Sequence, residues 1–411
     1  MLTVDRDQFM RDGYLVMRDV IPMDELEQLR ASCETLLEKQ KAIWQSQCGA
    51  GDPPGGLWDT ARQPRIVHVQ NLIDAETANA VETWTSEATR GVAEQLLSQP
   101  VAGIHQMQVM CNPSFDYGPA EWHRDVDPVR CGPLGVLQAS LLENGPDYVQ
   151  WNIPLYDDKV FWIIPGSHGR LTTDEEKRQI LENSRVPVSG GVPVDLKAGD
   201  LLVYTHYLLH WGSKYTNQVL RRTMHGGHTT YPMWDDLNFV GHLSPEASQL
   251  FASWAARVIQ LKRATERCLR AVLDKDRPSY LAGLDLIHPG AGPAGQLQMT
   301  VYLCKLAMNM HVLKRSDFES LPVDARARAE HEHGITLNWG PSFAERFTKD
   351  EADGVWDGFA ELERHLKSDD EGRFLAAYQA DHRCPSTYYL DEMDEPFTIL
   401  DFVATWDNGG S

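Results

Sequence analysis

Within the stretch WHRDVD, residues 122–127, His123 and Asp125 stand two residues apart. On a β-strand successive side chains alternate faces, so both would project from one face and could hold one ion. A chain with 59 acids and 15 histidines also produces such pairs by chance, so further ligands are needed. The stretch AGDLLVYTHYLLHWGSKYTNQVLRRT, residues 198–223, supplies a candidate in His210, followed by Arg221 and Arg222. Two histidines and one carboxylate make the facial triad of non-haem Fe(II) oxygenases, leaving three positions of octahedral iron for O₂ and a chelating cosubstrate. A buried guanidinium fork pairs bidentately with a carboxylate, which suits the distal carboxylate of 2-oxoglutarate. His206 and His210, four apart, could instead be a helical zinc pair. The aromatic, β-branched run that carries them, just after a Gly-Asp turn, disfavours a helix.

The elements that must position these residues follow from the hydrophobic pattern. Residues 3–44 read as a short helix, an alternating strand (YLVMRDV) and an amphipathic helix that opens on Pro22 with acids in its first turn. GAGDPPGGLWD is a loop, and ETANAVETWTSEATRGVAEQLLSQ reads as one helix. From about residue 101 short strand-like runs alternate with turns: GIHQMQVM, GVLQASLL, YVQWNIPLY, VFWIIP, DLLVYTHYLLHW and RRTMHGGHTTY. Many short strands with glycine and proline punctuation indicate a mainly β core, a jelly roll or barrel. After about residue 244 the pattern becomes helical. We therefore expect a β domain with flanking N-terminal helices over residues 1–243 and a mostly α-helical C-terminal extension over 244–411, serving as a lid, an oligomer contact or a scaffold.

Composition narrows the partners. The 411 residues carry a net charge of −21 with no block of lysines or arginines, so nucleic acid and anionic membranes would be repelled. The seven cysteines are odd in number, widely spaced and free of any C-x-x-C pair, which fits reduced thiols in a cytoplasm. The charged N-terminus is unlike a signal peptide, and no run approaches the ~18 apolar residues of a membrane span. The expected partner is a small molecule.

Five motifs, in order, resemble the phytanoyl-CoA dioxygenase family of Fe(II)- and 2-oxoglutarate-dependent oxygenases. FMRDGYLVMRDVIPMDELEQLR resembles its N-terminal helix, strand and helix; HRD its H-x-D; IIPGSHGR, residues 163–170, its P-G-S-H turn; and AGDLLVYTHYLLHWGS the strand of its second histidine. Arg221 stands at the family's spacing after His210. The resemblance implies a double-stranded β-helix, cupin-like, with His123, Asp125 and His210 as iron ligands and Arg221 as the 2-oxoglutarate arginine. It also implies that Gln106 and Trp151 contact the cosubstrate. Trp211 separates His210 from Gly212-Ser213, where the family commonly has H-G-S.

The implied reaction couples O₂ and 2-oxoglutarate, released as succinate and CO₂, to hydroxylation of an unactivated C–H bond of a metabolic or natural-product intermediate. Desaturation, epoxidation and cyclisation share the oxidant. A halogenase of this scaffold would have a small residue in place of Asp125. Rival classes are a non-catalytic jelly-roll binding protein and a cupin-type hydrolase or isomerase. Among the remaining polar residues, His168 reads as a turn residue, and His225 and His228 as pocket or backbone partners. Arg62 and Arg65 read as surface groups or anchors for an acidic substrate. One or two of Trp122, Trp151, Trp162 and Trp211 are expected at the substrate.

Overall fold

The structure, a computed structural model, describes residues 2–67, 69–126, 132–215, 220–232, 234, 237–323, 326, 344–366, 391–393 and 395–406. Helix α1 (Arg6–Asp12) is capped by the Asp5 side chain and ends at Gly13, whose φ of 85° and close approach to His168 both require glycine. Strand β1 (Tyr14–Met17) follows, then α2 (Met23–Ser46), with Asp24 and Glu25 in its first turn. Its apolar stripe, Leu26, Leu29, Cys33, Leu36 and Leu37, is buried.

The remaining strands are β2 (Arg65–Ile66), β3 (Gly103–Cys111), β4 (Tyr148–Pro154), β5 (Phe161–Ile163), β6 (Val192–Pro193), β7 (Leu201–Tyr204), β8 (His210–Gly212) and β9 (Arg222–Thr229). They form a six-stranded sheet, β1-β7-β4-β9-β3-β2, and a three-stranded sheet, β6-β5-β8. Among the described residues every strand pair is antiparallel. Between the sheets Leu202 and Tyr204 of β7 share an apolar cluster with Phe161 and Ile163 of β5. The opposite face of the larger sheet, through Met107, Val109, Trp151, Ile153, Val203 and Met224, packs on the leucines of α2 and on Trp84.

Two expectations are corrected. GVLQASLL is not a strand but part of a helix, Leu134–Asn144, because Leu134, Leu137 and Leu141 fall on one helical face behind Pro133 and are buried there, while Leu142 is exposed. The helix read over residues 76–99 is two, Asn79–Thr85 and Arg90–Leu96, broken at Ser86, whose backbone turns extended. The Ser86 and Thr89 hydroxyls both donate to the freed Thr83 carbonyl, at 2.9 and 2.6 Å.

Beyond β9 the described residues include the helices Pro245–Asp274, opening on the Ser244 cap, Arg277–Ile287, Pro293–Leu313 and Lys349–Gly358. Their apolar faces share one core with Val126, Leu134, Leu137, Tyr207 and Tyr231. The helices thus pack on segments adjacent to Asp125 and His206. No described helix is long and apolar enough to cross a membrane.

Candidate active site

His123 follows β3 and forms an isolated antiparallel bridge with His210, the first residue of β8. The N–H of each donates to the carbonyl of the other at 2.9 Å. Each imidazole Nδ1 faces a carbonyl two residues back: Glu121 at 2.6 Å for His123 and Leu208 at 2.8 Å for His210. With Nδ1–H donating there, each Nε2 presents its lone pair to the space between the rings. Both Nε2 atoms lie 3.4 Å from Asp125, one from each carboxylate oxygen. The three side chains offer ligand atoms all within 4.8 Å of one another, the one such metal-capable group among the described residues. This nitrogen and oxygen donor set, with imidazoles already oriented, fits a first-row divalent metal.

Burial works against a charge on Asp125, but while His123 and His210 carry protons on Nε2 they overcome it and hold the carboxyl well below its usual range, and a bound metal would take the place of those protons. Gln150 of β4 donates from Nε2 to Asp125 Oδ2 at 2.6 Å, with His225 Nε2 at 3.2 Å and the Tyr204 hydroxyl at 2.9 Å. His225 Nδ1 donates to Asn152 Oδ1 at 2.8 Å, which leaves its Nε2 to accept from Gln150. Burial pushes His225 down to about 3, so the ring stays neutral in this network. These side chains line one cavity together with Arg65, Met110, Phe161, Tyr215 and Arg221.

Arg221 and Arg222 diverge as neighbours entering a strand should. Arg222 turns towards α2 and pairs with Glu34, Nε to Oε1 at 2.6 Å. Arg221 turns into the cavity, where Nε donates to Asp158 Oδ2 at 2.7 Å and the buried Nη1 has no hydrogen-bond partner. An unsatisfied buried guanidinium N–H is costly, and a carboxylate there would satisfy it. Asp158 also accepts from Thr223 Oγ1 at 2.7 Å and from the Val160 N–H at 2.9 Å, which fixes the angle of the fork.

Other sequence-derived candidates lie elsewhere. Trp151 is on the reverse face of β4: its Nε1–H donates to His228 Nδ1 at 3.0 Å, and His228 Nε2 donates to the Trp84 carbonyl at 2.9 Å. With Gln150 and Asn152 facing the cavity, the period of two puts Trp151 in the apolar layer against the N-terminal helices. Gln106 shares a row with Gly227 and Gln150, on the face towards the cavity, yet is not among the cavity-lining residues. None of the four tryptophans lines the cavity. Trp122 and Trp211 stack at 5.6 Å on the reverse side of the His123–His210 bridge, with Trp162 edge-on to Trp211. His206 packs against the rings of Tyr148 and Tyr207 and is not on a helix. His168 lies in the P-G-S-H turn, with Nε2 3.0 Å from the Met10 carbonyl.

Several contributors were not anticipated. Arg124, between two candidate ligands, is fully buried and donates from Nη1 to the carbonyls of Ser167 at 2.9 Å and Tyr207 at 2.5 Å. It thereby ties the H-x-D segment to the P-G-S-H turn. That turn supports His210 in its own right, because Ser167 Oγ accepts the Leu209 N–H at 2.9 Å. Gln150 and Asn152 carry a signal, as polar residues alternating with apolar ones in YVQWNIP. Asp158 carries none, since its partner is 63 residues away.

A sequence model described as phytanoyl-CoA dioxygenase (PhyH) matches residues 9–223. No curated protein matches the chain. Solved structures with some likeness include EctD from S. alaskensis with bound Fe, 17% identical over 56% of this chain and 79% of that one, TM-score 0.39. HygX from Streptomyces hygroscopicus, with nickel and 2-oxoglutarate bound, is 15% identical over 56% and 90%, TM-score 0.40. AviO1 from Streptomyces viridochromogenes Tue57 is 20% identical over 56% and 96%, TM-score 0.39. Likenesses this distant carry no activity over to this chain.

Proposed function

The chain belongs to the phytanoyl-CoA dioxygenase family, and on that premise we propose that it is an Fe(II)- and 2-oxoglutarate-dependent dioxygenase that hydroxylates a C–H bond of a small molecule. The observation that carries this reading is the meeting of His123, Asp125 and His210 in one cavity with a buried arginine whose Nη1 lacks a partner. In the overall balance one oxygen of O₂ enters the product and the other enters succinate, with release of CO₂. The bound iron and cosubstrate supply the oxidising power.

The chain's own residues supply geometry. His123, Asp125 and His210 would hold the metal, their orientation set by the Glu121 and Leu208 carbonyls and by Gln150. Arg221, braced by Asp158, would take the distal carboxylate of 2-oxoglutarate. The Val160, Phe161 and Met110 side chains would exclude water from the reacting groups. Asp125 occupies a metal position that a halide would need, which favours oxygenation over halogenation. Desaturation or cyclisation would use the same residues.

On this reading the two sheets are a double-stranded β-helix, residues 1–243 are the oxygenase unit, and the helices beyond are a scaffold sharing its core. Metal titration tests the assignment: the protein should bind about one Fe(II) per chain. His210→Ala should lose that iron while keeping its far-ultraviolet circular dichroism. Unchanged iron affinity in His210→Ala would remove it from the ligand set.

A further inference from the structure

The hydroxyl groups in and beside the cavity are unequally occupied. Ser213 Oγ donates to the Val160 carbonyl at 2.9 Å, and Thr223 Oγ1 is committed to Asp158. Tyr204 is engaged with Gln150, close to the candidate ligands. Tyr215 differs: it is buried and lines the cavity, and its hydroxyl makes no hydrogen bond with any described residue. The guanidinium carbon of Arg221 stands 5.6 Å from the centroid of the Tyr215 ring.

Gly212 supplies an independent observation. A Cβ built there would lie 2.2 Å from Tyr215 Oη, so the phenol oxygen fills the space that a side chain two residues after His210 would take. The glycine does not owe its place to a left-handed backbone, since it is absent from the positive-φ residues. It leaves room for the tyrosine. Burial pushes the Tyr215 hydroxyl up, only partly offset by Arg221, so the group keeps its proton and can donate.

We propose that Tyr215 Oη–H is the second donor to the distal carboxylate of 2-oxoglutarate, acting beside the Nη atoms of Arg221 in the room left by Gly212. A carboxylate accepts from several donors, and Arg221 has its Nε edge turned to Asp158, so a hydroxyl beside the fork completes the subsite. This inference rests on the cosubstrate reading above and assigns Tyr215 a binding role that Ser213, turned to Val160, does not fill.

The test is an anaerobic titration of the Fe(II)-loaded protein, read by the visible charge-transfer absorption of the chelate. The titrants are 2-oxoglutarate and 2-oxovalerate, which has the same chelating end and no distal carboxylate. Tyr215→Phe keeps the ring and removes only the hydroxyl. It should weaken 2-oxoglutarate by roughly ten-fold or more, as for one hydrogen bond to a charged group. The same variant should leave 2-oxovalerate unchanged, and Ser213→Ala should change neither. Unaltered 2-oxoglutarate affinity in Tyr215→Phe, or equal loss for both keto acids, overturns this proposal alone. Absence of any band in the wild-type protein, or indifference of 2-oxoglutarate to Arg221→Ala, overturns the cosubstrate reading and this proposal with it.

Discussion

Trp122 and Trp211 stack at 5.6 Å, 18° from parallel, on the reverse of the backbone bridge that joins His123 to His210. Each histidine looks into the cavity because its neighbouring tryptophan looks out, and both indoles are further held through Nε1, to the carbonyls of Val186 and Ala120. The pair of imidazoles is therefore mounted on a packed apolar layer rather than on a loop. Trp211→Ala should cost ~3–5 kcal/mol of unfolding free energy in denaturant and weaken metal binding along with it. Loss of metal affinity without loss of stability would contradict this arrangement.

Gln150 should matter for metal affinity without being a ligand. Gln150→Leu removes the donor to Asp125 Oδ2 and to His225, and should weaken metal binding by about ten- to a hundred-fold in a Co(II) titration. An affinity equal to that of the wild-type protein would show that Asp125 is oriented by something else.

Asp158→Ala leaves Arg221 buried and unpaired, and should destabilise the protein by ~3–5 kcal/mol in equilibrium unfolding. Adding 2-oxoglutarate to the iron-loaded variant should restore part of that loss, because a carboxylate returns to the guanidinium. The same addition should stabilise Arg221→Ala far less.

His228 sets a pH dependence. Burial pushes it from 6.5 down to about 4, so the unfolded chain takes up the proton first. Its contribution is fully present above pH 6.5 and is lost as the pH falls from there towards 4, about 3 kcal/mol across that window. Unfolding free energies measured from pH 7 to 4.5 should therefore fall less steeply in His228→Gln, by up to one proton's worth of slope. Trp151→Phe, which removes the hydrogen bond to His228, should lower stability by ~1 kcal/mol and leave the 2-oxoglutarate KM unchanged.

The legible part of the site is the part whose geometry is local. His123 and Asp125 are legible together because they are two apart, although the segment is no strand and only His123 makes a bridge, with Asp125 at a bend; Arg221 parts from Arg222 because they are one apart. The resemblance puts Trp151 at the cosubstrate, whereas the alternation of Gln150 and Asn152 with apolar neighbours in YVQWNIP places its indole on the opposite face of β4. GVLQASLL reads as a strand because an apolar run of that length suits either element until its neighbours are known, and in the fold it lies in the Leu134–Asn144 helix. Asp158 and Arg124 act through contacts between distant segments, and nothing in their immediate surroundings marks them.

The most direct test of the account is succinate formation from 2-oxoglutarate with Fe(II), ascorbate and O₂, measured side by side for the wild-type protein and Asp125→Ala. Iron-dependent turnover is expected in the wild-type protein, even without the primary substrate, and should be abolished in Asp125→Ala with the fold retained. No succinate from iron-loaded wild-type protein, or equal turnover in Asp125→Ala, would contradict it.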